Sequence, residues 1–369
     1  MTMAASPKAG ARLAPIQWSR WQDRLRQTSR SFYLTLRVLP AAVRFPMGLA
    51  YLLARTTDTI ADTGLVPVEQ RLAALRDLQR RIQAETTAPL DFGELCRHQG
   101  SPAEQQLLEH VEESLALLAM LSPEDARLVK AVLATITSGQ ELDLRRFAPA
   151  SAQNIIALPT DAALDDYTYR VAGCVGEFWT QICRAHLFPK ANLDDAQLLQ
   201  DAVRLGKGLQ RVNILRDLPA DLRQGRCYLP AERLTKTGLQ PDDLLLLENE
   251  PQLRPVYHAL LDQTRDYLAA GWRYTNALPR SQVRVRLACA WPILIGVKTL
   301  ERLRAANPLD ASSRVKVSRR EVRRILVSSL WRYPWPAAWA NLFSGGLEKT
   351  NAQTGNTGKP FTGPTADSP

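Results

Sequence analysis

Apolar residues recur three and four positions apart along most of the chain, the period of a helix with one buried face. Trp18, Trp21 and Leu25 share such a face and predict a helix beginning near Pro15. Residues 41–63 predict a second, with Leu49, Tyr51, Leu52 and Leu53 turned inward and Gly64 as a stop signal. The pattern continues over 67–88, through Leu72, Leu75 and Leu78, then over 103–121 and 123–146. Further helices are predicted at 161–186, 199–222, 243–277 and 281–305, and 315–330 reads as a basic segment leading into another. No run alternates with period two, no strand–helix–strand order is visible, and there is no Gly-rich dinucleotide fingerprint or internal repeat. The expectation is an all-α chain. One large helical domain spans 15–343, between disordered tails at 1–14 and 344–369.

Three interruptions of the pattern carry information. Gly173 and Gly176 lie inside the 161–186 helix, beside Val171, Ala172 and Val175. A glycine costs about 1 kcal/mol against alanine in a helix interior, so something must approach this backbone closely, either another helix or a substrate chain. Pro219 lies inside 199–222, where it removes a hydrogen bond and is expected to kink or end the helix. The stretch LWRYPWPAAWANLF at 330–343 is too short and too broken to span a bilayer; its aromatic–apolar composition suits a membrane interface or a core equally.

The formal net charge of +10 favours anionic partners, but the arginines are scattered rather than run together, which argues against a nucleic-acid tail. Five cysteines with no Cys-x-x-Cys spacing indicate a reducing compartment without a disulfide framework. The four histidines show no ligand spacing, which argues against zinc or iron. The N-terminus lacks the apolar core of a secretory signal, and no run is long enough for a spanning helix. The expected location is the cytoplasm, with peripheral contact at the inner membrane face through the Trp-rich segment.

The candidate chemistry lies in two aspartate pairs, each with a spacing of four: Asp58 with Asp62, and Asp217 with Asp221. On a helix such residues share a face, with Cβ atoms about 5–6 Å apart, and their carboxylates repel unless a cation sits between them. Mg²⁺ suits that place, because it binds one or two carboxylates and fills its remaining positions with water and substrate phosphate. Arg55 precedes the first pair, and Gln210, Asn213, Arg216, Arg223 and Arg226 surround the second. Carboxylates for metal beside guanidinium for phosphate oxygen is the composition of a diphosphate site. Ser29 and Arg30 lie at a helix start, which serves an anion or an ordinary N-cap. Asp143 either lines the same cleft or is an exposed helix carboxylate.

Taken together these stretches resemble the squalene/phytoene synthase family, over about 27–330. The signals are Thr28-Ser29-Arg30-Ser31-Phe32, the Asp58–Asp62 motif behind Arg55, Tyr167 ahead of Val171-Ala172-Gly173, and the long run from Asn213 through Asp217 and Asp221 to Arg226-Cys227-Tyr228-Leu229-Pro230. The resemblance implies an isoprenoid synthase bundle with a central hydrophobic channel. It also implies head-to-head joining of two prenyl diphosphates, farnesyl diphosphate in the squalene branch. By the same resemblance Asp58, Asp62, Asp217 and Asp221 hold Mg²⁺. Arg55, Gln210, Asn213, Arg216 and Arg226 contact diphosphate, with Ser29, Arg30 and Tyr51 beside them, and Tyr167 assists proton removal. The form Asp-Thr-Ile-Ala-Asp and the basic segment from Val315 to Arg320 resemble bacterial squalene synthases, which implies NADPH, its phosphates met by Lys316 and Arg319. Alternatives are a non-reductive phytoene, dehydrosqualene or presqualene diphosphate synthase and, from another class, a non-catalytic helical protein recruited to a membrane. No nucleic-acid partner is expected.

Overall fold

A computed structural model describes residues 15–29, 32–312 and 315–344. The chain is all-α, as its periodicity predicts. In order, the helices are α1 (Pro15–Ser29), α2 (Phe32–Val38), α3 (Ala41–Asp62), α4 (Val68–Gln83), α5 (Gly93–Arg97), α6 (Pro102–Glu109), α7 (Val111–Leu118) and α8 (Pro123–Arg146). A short strand β1 (Ile156–Leu158) leads to α9 (Asp161–Thr168), a π-helical turn (Tyr169–Gly173), α10 (Cys174–Leu187) and α11 (Asp195–Leu222). Strand β2 (Arg226–Pro230) precedes α12 (Ala231–Thr235), α13 (Glu250–Ala277), α14 (Val283–Ala305), α15 (Arg319–Arg332) and α16 (Pro336–Ser344). The expected tails fall on 1–14 and 345–369, outside the described residues, and Ser344 closes α16.

Helix α11 is the hub. It packs most extensively on α13 and also meets α10, α14, the π-helical turn, α9 and β2. Its inward residues Leu198, Ala202, Leu205, Val212, Ile214, Leu215 and Leu218 are buried, and each such aliphatic side chain contributes about 1.5–3 kcal/mol. Across the bundle, α3 buries Leu49, Leu52, Leu53 and Ile60 and packs mainly against α8. The two aspartate-bearing helices are thereby held on opposite walls.

Several expectations change. The 103–121 stretch forms two helices, α6 and α7, with His110 between them. The 67–88 helix stops at Gln83, closed by Ala84 in the left-handed region at φ 64°. Helix α11 neither ends nor breaks at Pro219 but continues to Leu222. The missing N–H leaves the Leu215 carbonyl without its helical donor, and the Tyr257 hydroxyl, from α13, donates to that oxygen at 2.8 Å. The chain also contains sheet structure where none was expected: β1 and β2 pair in parallel, Ile156 opposite Arg226 and Ala157 opposite Cys227. Three residues are too few to show a period, so only the pairing reveals the strand.

Gly176 of α10 and Gly206 of α11 have a direct reason. A Cβ at Gly176 would lie 2.1 Å from the Ala202 carbonyl oxygen, and one at Gly206 would lie 2.2 Å from that of Ala172. The helices cross with backbone against backbone, so the close neighbour is another helix.

Candidate active site

Helix α3 buries Thr56, Thr57 and Ile60 and turns Asp58 and Asp62 toward the opposite wall. Asp58 accepts a hydrogen bond from the Gln140 side chain of α8, and Arg55 stands 3.7 Å from it while pairing with Glu104 of α6. On the facing wall, Arg216 grips Asp217 with two bonds, Nε at 3.0 Å and Nη2 at 2.5 Å. Strand β2 then delivers Arg226 and Tyr228 into the space between the walls. Tyr228 donates to Asp143 of α8 at 2.5 Å, and its ring stacks on Tyr167 at 4.8 Å.

The result is a polar cleft of about 260 Å³. Among the expected residues Asp58, Asp62, Tyr167, Gln210 and Arg226 line it. Asp221 lies close enough to interact with Asp143, Arg226 and Tyr167. Asp217 exerts the largest charge effect on Asp221, and neither of them lines the cleft, nor do Arg55, Asn213, Arg216 or Tyr51. The Tyr51 hydroxyl donates to the Thr28 carbonyl at 3.4 Å. The Ser29 side chain and Arg30 lie outside the described residues. Lys316 and Arg319 are exposed around the start of α15 and line none of the cavities described here. Two residues without an assigned role, Gln140 and Tyr228, enter the cleft, and Asp143 takes the cleft-lining one of its two expected places. The available signal was Gln140 and Asp143 three apart on one helical face.

The electrostatics set this cleft apart. Burial, then the neighbouring Asp62 carboxylate, pushes Asp58 up to about 6. Burial raises Asp143 to about 6 against the pull of the Tyr228 hydrogen bond and Arg226. Burial and Asp217 raise Asp221 to about 7. Asp62 is also raised, chiefly by the crowding cleft walls, although its own surface is open to solvent, which screens it. Burial holds the Tyr167 phenol well above its ordinary range, so it is neutral at any working pH. The residues fit a hard cation: the donors are all oxygen, the carboxylates raise one another, and Asp143 Oδ1 and Gln140 Oε1 lack a hydrogen-bond partner. Among the described residues no three carboxylate, imidazole or thiol groups already converge as a ready-made metal cage.

A second cavity of about 210 Å³ adjoins the first, and Val171 and Gln210 line both. Its other walls include Ala172, Val175, Gly176, Trp179, Leu205, Gly206, Leu209, Tyr274, Cys289 and Pro292. The small residues at the α10–α11 crossing therefore serve helix approach and leave room for an apolar chain at once. The π-helical turn carries Val171, the hinge of the two spaces. A wider turn of this kind shifts the side chains after it around the helix.

An anion-handling cleft opening onto a hydrocarbon-lined cavity inside a helical bundle defines an enzyme for amphiphiles with a charged head and an apolar tail. The chain belongs to the squalene/phytoene synthase family, whose profile matches residues 25–321, and it is a prenyltransferase of that family. It is similar to a presqualene diphosphate synthase of Rhodopseudomonas palustris, at 31% identity over 69% of this chain and 77% of that one. It is also similar to a squalene synthase of Schizosaccharomyces pombe, at 27% identity over 83% of this chain and 64% of that one. A solved ligand complex of TcSQS shares the fold with a TM-score of 0.75 at 20% identity, covering 93% of this chain and 94% of that one.

Proposed function

We propose that this enzyme joins two farnesyl diphosphates head to head to give presqualene diphosphate, which loses its diphosphate and takes a hydride from NADPH to become squalene. The observation that carries the reading is the continuity of the two cavities through Val171 and Gln210, which seats a diphosphate among carboxylates and guanidinium while its prenyl tail enters the apolar space.

Asp58, Asp62 and Asp221, with Asp217 behind, would hold Mg²⁺. Bound there, the ion neutralises the charge that develops on diphosphate as the allylic C–O bond breaks. Arg226 faces the same leaving group from β2. The apolar walls keep water from the carbocation. Proton loss then closes the cyclopropane. Tyr167, being neutral, acts only as a relay: through its hydrogen bond with the Tyr228 hydroxyl it takes the substrate proton while passing its own to Tyr228, which passes its proton to Asp143, the acceptor. Lys316 and Arg319, the residues expected to meet the NADPH phosphates, line neither cavity.

A second reading, release of presqualene diphosphate, is favoured by the 31% identity to the R. palustris enzyme. Incubation with farnesyl diphosphate and Mg²⁺, with and without NADPH, separates them. Squalene formed only with NADPH supports the first. Presqualene diphosphate accumulating under both conditions supports the second, and absence of any condensation product refutes both.

A further inference from the structure

Among the described residues, Leu65, Met120 and the run Leu245–Leu247 are exposed elsewhere, but both exposed tryptophans and two further apolar side chains gather at the end of the described chain. Val327 is 66% exposed, Leu330 53%, Trp331 73% and Trp335 53%. Tryptophan is costly to leave in water, and here two stand together, ring centroids 6.0 Å apart. The neighbouring aromatics are fixed inward: Trp339 stacks on Trp272 at 5.2 Å and donates to Asn276 at 2.8 Å, and the Tyr333 hydroxyl donates to the Arg280 carbonyl at 2.6 Å. The aromatic segment is thus split between a docked half and an outward half.

Helix α15 extends this surface. Its inner side is set by Ser329, buried and accepting from Trp291 at 2.9 Å. On the opposite side Arg320, Arg324, Val327 and Trp331 follow one another at helical spacing, with Arg323 and Leu330 flanking them. All six are exposed. The only acidic residue of the helix, Glu321, is held by Arg302 and offsets none of these arginines. Cations at one end of a rigid stripe and aromatics at the other match a surface that offers anionic head groups above an apolar interior. We propose that the outer face of α15 and the adjoining Trp335 dock this enzyme on an anionic lipid bilayer, with Trp331 and Trp335 entering the interface and Arg320, Arg323 and Arg324 meeting lipid phosphate. The tryptophans and the two aliphatic side chains favour a bilayer over a nucleic acid, which offers no apolar phase for Val327 and Leu330.

The test is co-sedimentation of the full chain with phosphatidylcholine–phosphatidylglycerol vesicles and with pure phosphatidylcholine vesicles, in the absence of prenyl substrate. It therefore stands or fails apart from the catalytic reading. Binding is expected to the anionic vesicles and to weaken as salt screens the arginines. Trp331→Ser with Trp335→Ser should weaken it about tenfold or more. Substituting Arg320, Arg323 and Arg324 by glutamine should weaken it about fivefold per residue. Because these side chains are exposed, circular dichroism and turnover of soluble substrate should be unchanged. Failure to bind vesicles, equal binding to neutral ones, or binding indifferent to both sets of substitutions overturns the proposal. So does a dimer abolished by the tryptophan substitutions, or duplex DNA binding abolished by the arginine ones, in a protein that ignores vesicles.

Discussion

The relay through Tyr228 makes a quantitative claim. Tyr228→Phe keeps the ring and its stack on Tyr167 but removes the hydroxyl that donates to Asp143 at 2.5 Å. The other oxygen of that carboxylate has no hydrogen-bond partner, so the substitution strips its closest donor. A hydrogen bond to a charged group contributes about 1.5–3 kcal/mol, and about 1.36 kcal/mol corresponds to one pKa unit. Asp143, already pushed to about 6 by burial, should therefore rise by about one to two units. If its ionised form receives the proton, kcat/KM falls on the acid side as Asp143 protonates, and in Tyr228→Phe that limb moves to higher pH by the same one to two units. The assay is diphosphate release from the prenyl substrate across pH, wild type and variant compared at one saturating Mg²⁺ concentration so that the metal's own effect cancels. A uniform loss of rate with the limb unmoved refutes Asp143 as the acceptor and leaves Tyr228 a packing residue.

Other predictions follow from the same geometry. Asp58→Asn or Asp217→Asn should lower turnover by about a hundredfold or more with helical circular dichroism intact; near-normal rates in either would remove it from the metal set. Tyr167→Phe should slow formation of the cyclopropyl intermediate, measured in single turnover, and an unchanged rate would end its role as relay. Burial raises Asp58, Asp143 and Asp221 to about 6–7, above about 4 in the unfolded chain. The folded state thus holds more protons in between, and stability is lost as pH rises toward 7. Mg²⁺ should then raise Tm clearly at pH 7.5 and hardly at pH 5, and an equal rise at both would contradict the site. Gly176→Val presses a side chain onto the Ala202 carbonyl and should cost about 3 kcal/mol or more, read by denaturant midpoint; an unchanged midpoint would mean the helices are not in such close approach.

Much of the site was legible because its signals are local. The spacings of Asp58 with Asp62 and of Asp217 with Asp221 place each pair on one helical face without any knowledge of the fold, and the arginines follow within a few residues. What escaped depends on contacts distant in sequence. Asp143 reads as a cleft or as an exposed carboxylate until β2 brings Tyr228 against it, and β2 is held by pairing with β1. The break at His110 lies within an unbroken apolar rhythm, and only its non-helical backbone, φ -109° and ψ 21°, exposes it. Arg55, which the resemblance places at a diphosphate, also pairs with Glu104, a neighbour that nothing in the first aspartate motif foretells.

Pro219 and Tyr257 constrain the order in which this sequence could have been assembled. A carbonyl oxygen has two lone pairs, so Leu215 could accept from Tyr257 while still bonded within an ordinary helix; the tyrosine could arrive first at little cost. Had the proline arrived first, a carbonyl in the buried hub helix would have stood unpaired, at about 1–3 kcal/mol, in an element that carries two of the aspartates proposed to hold metal. Descent through the tyrosine is the open road, and reversal is asymmetric: the proline can be lost freely, whereas the tyrosine is locked in for as long as the proline remains.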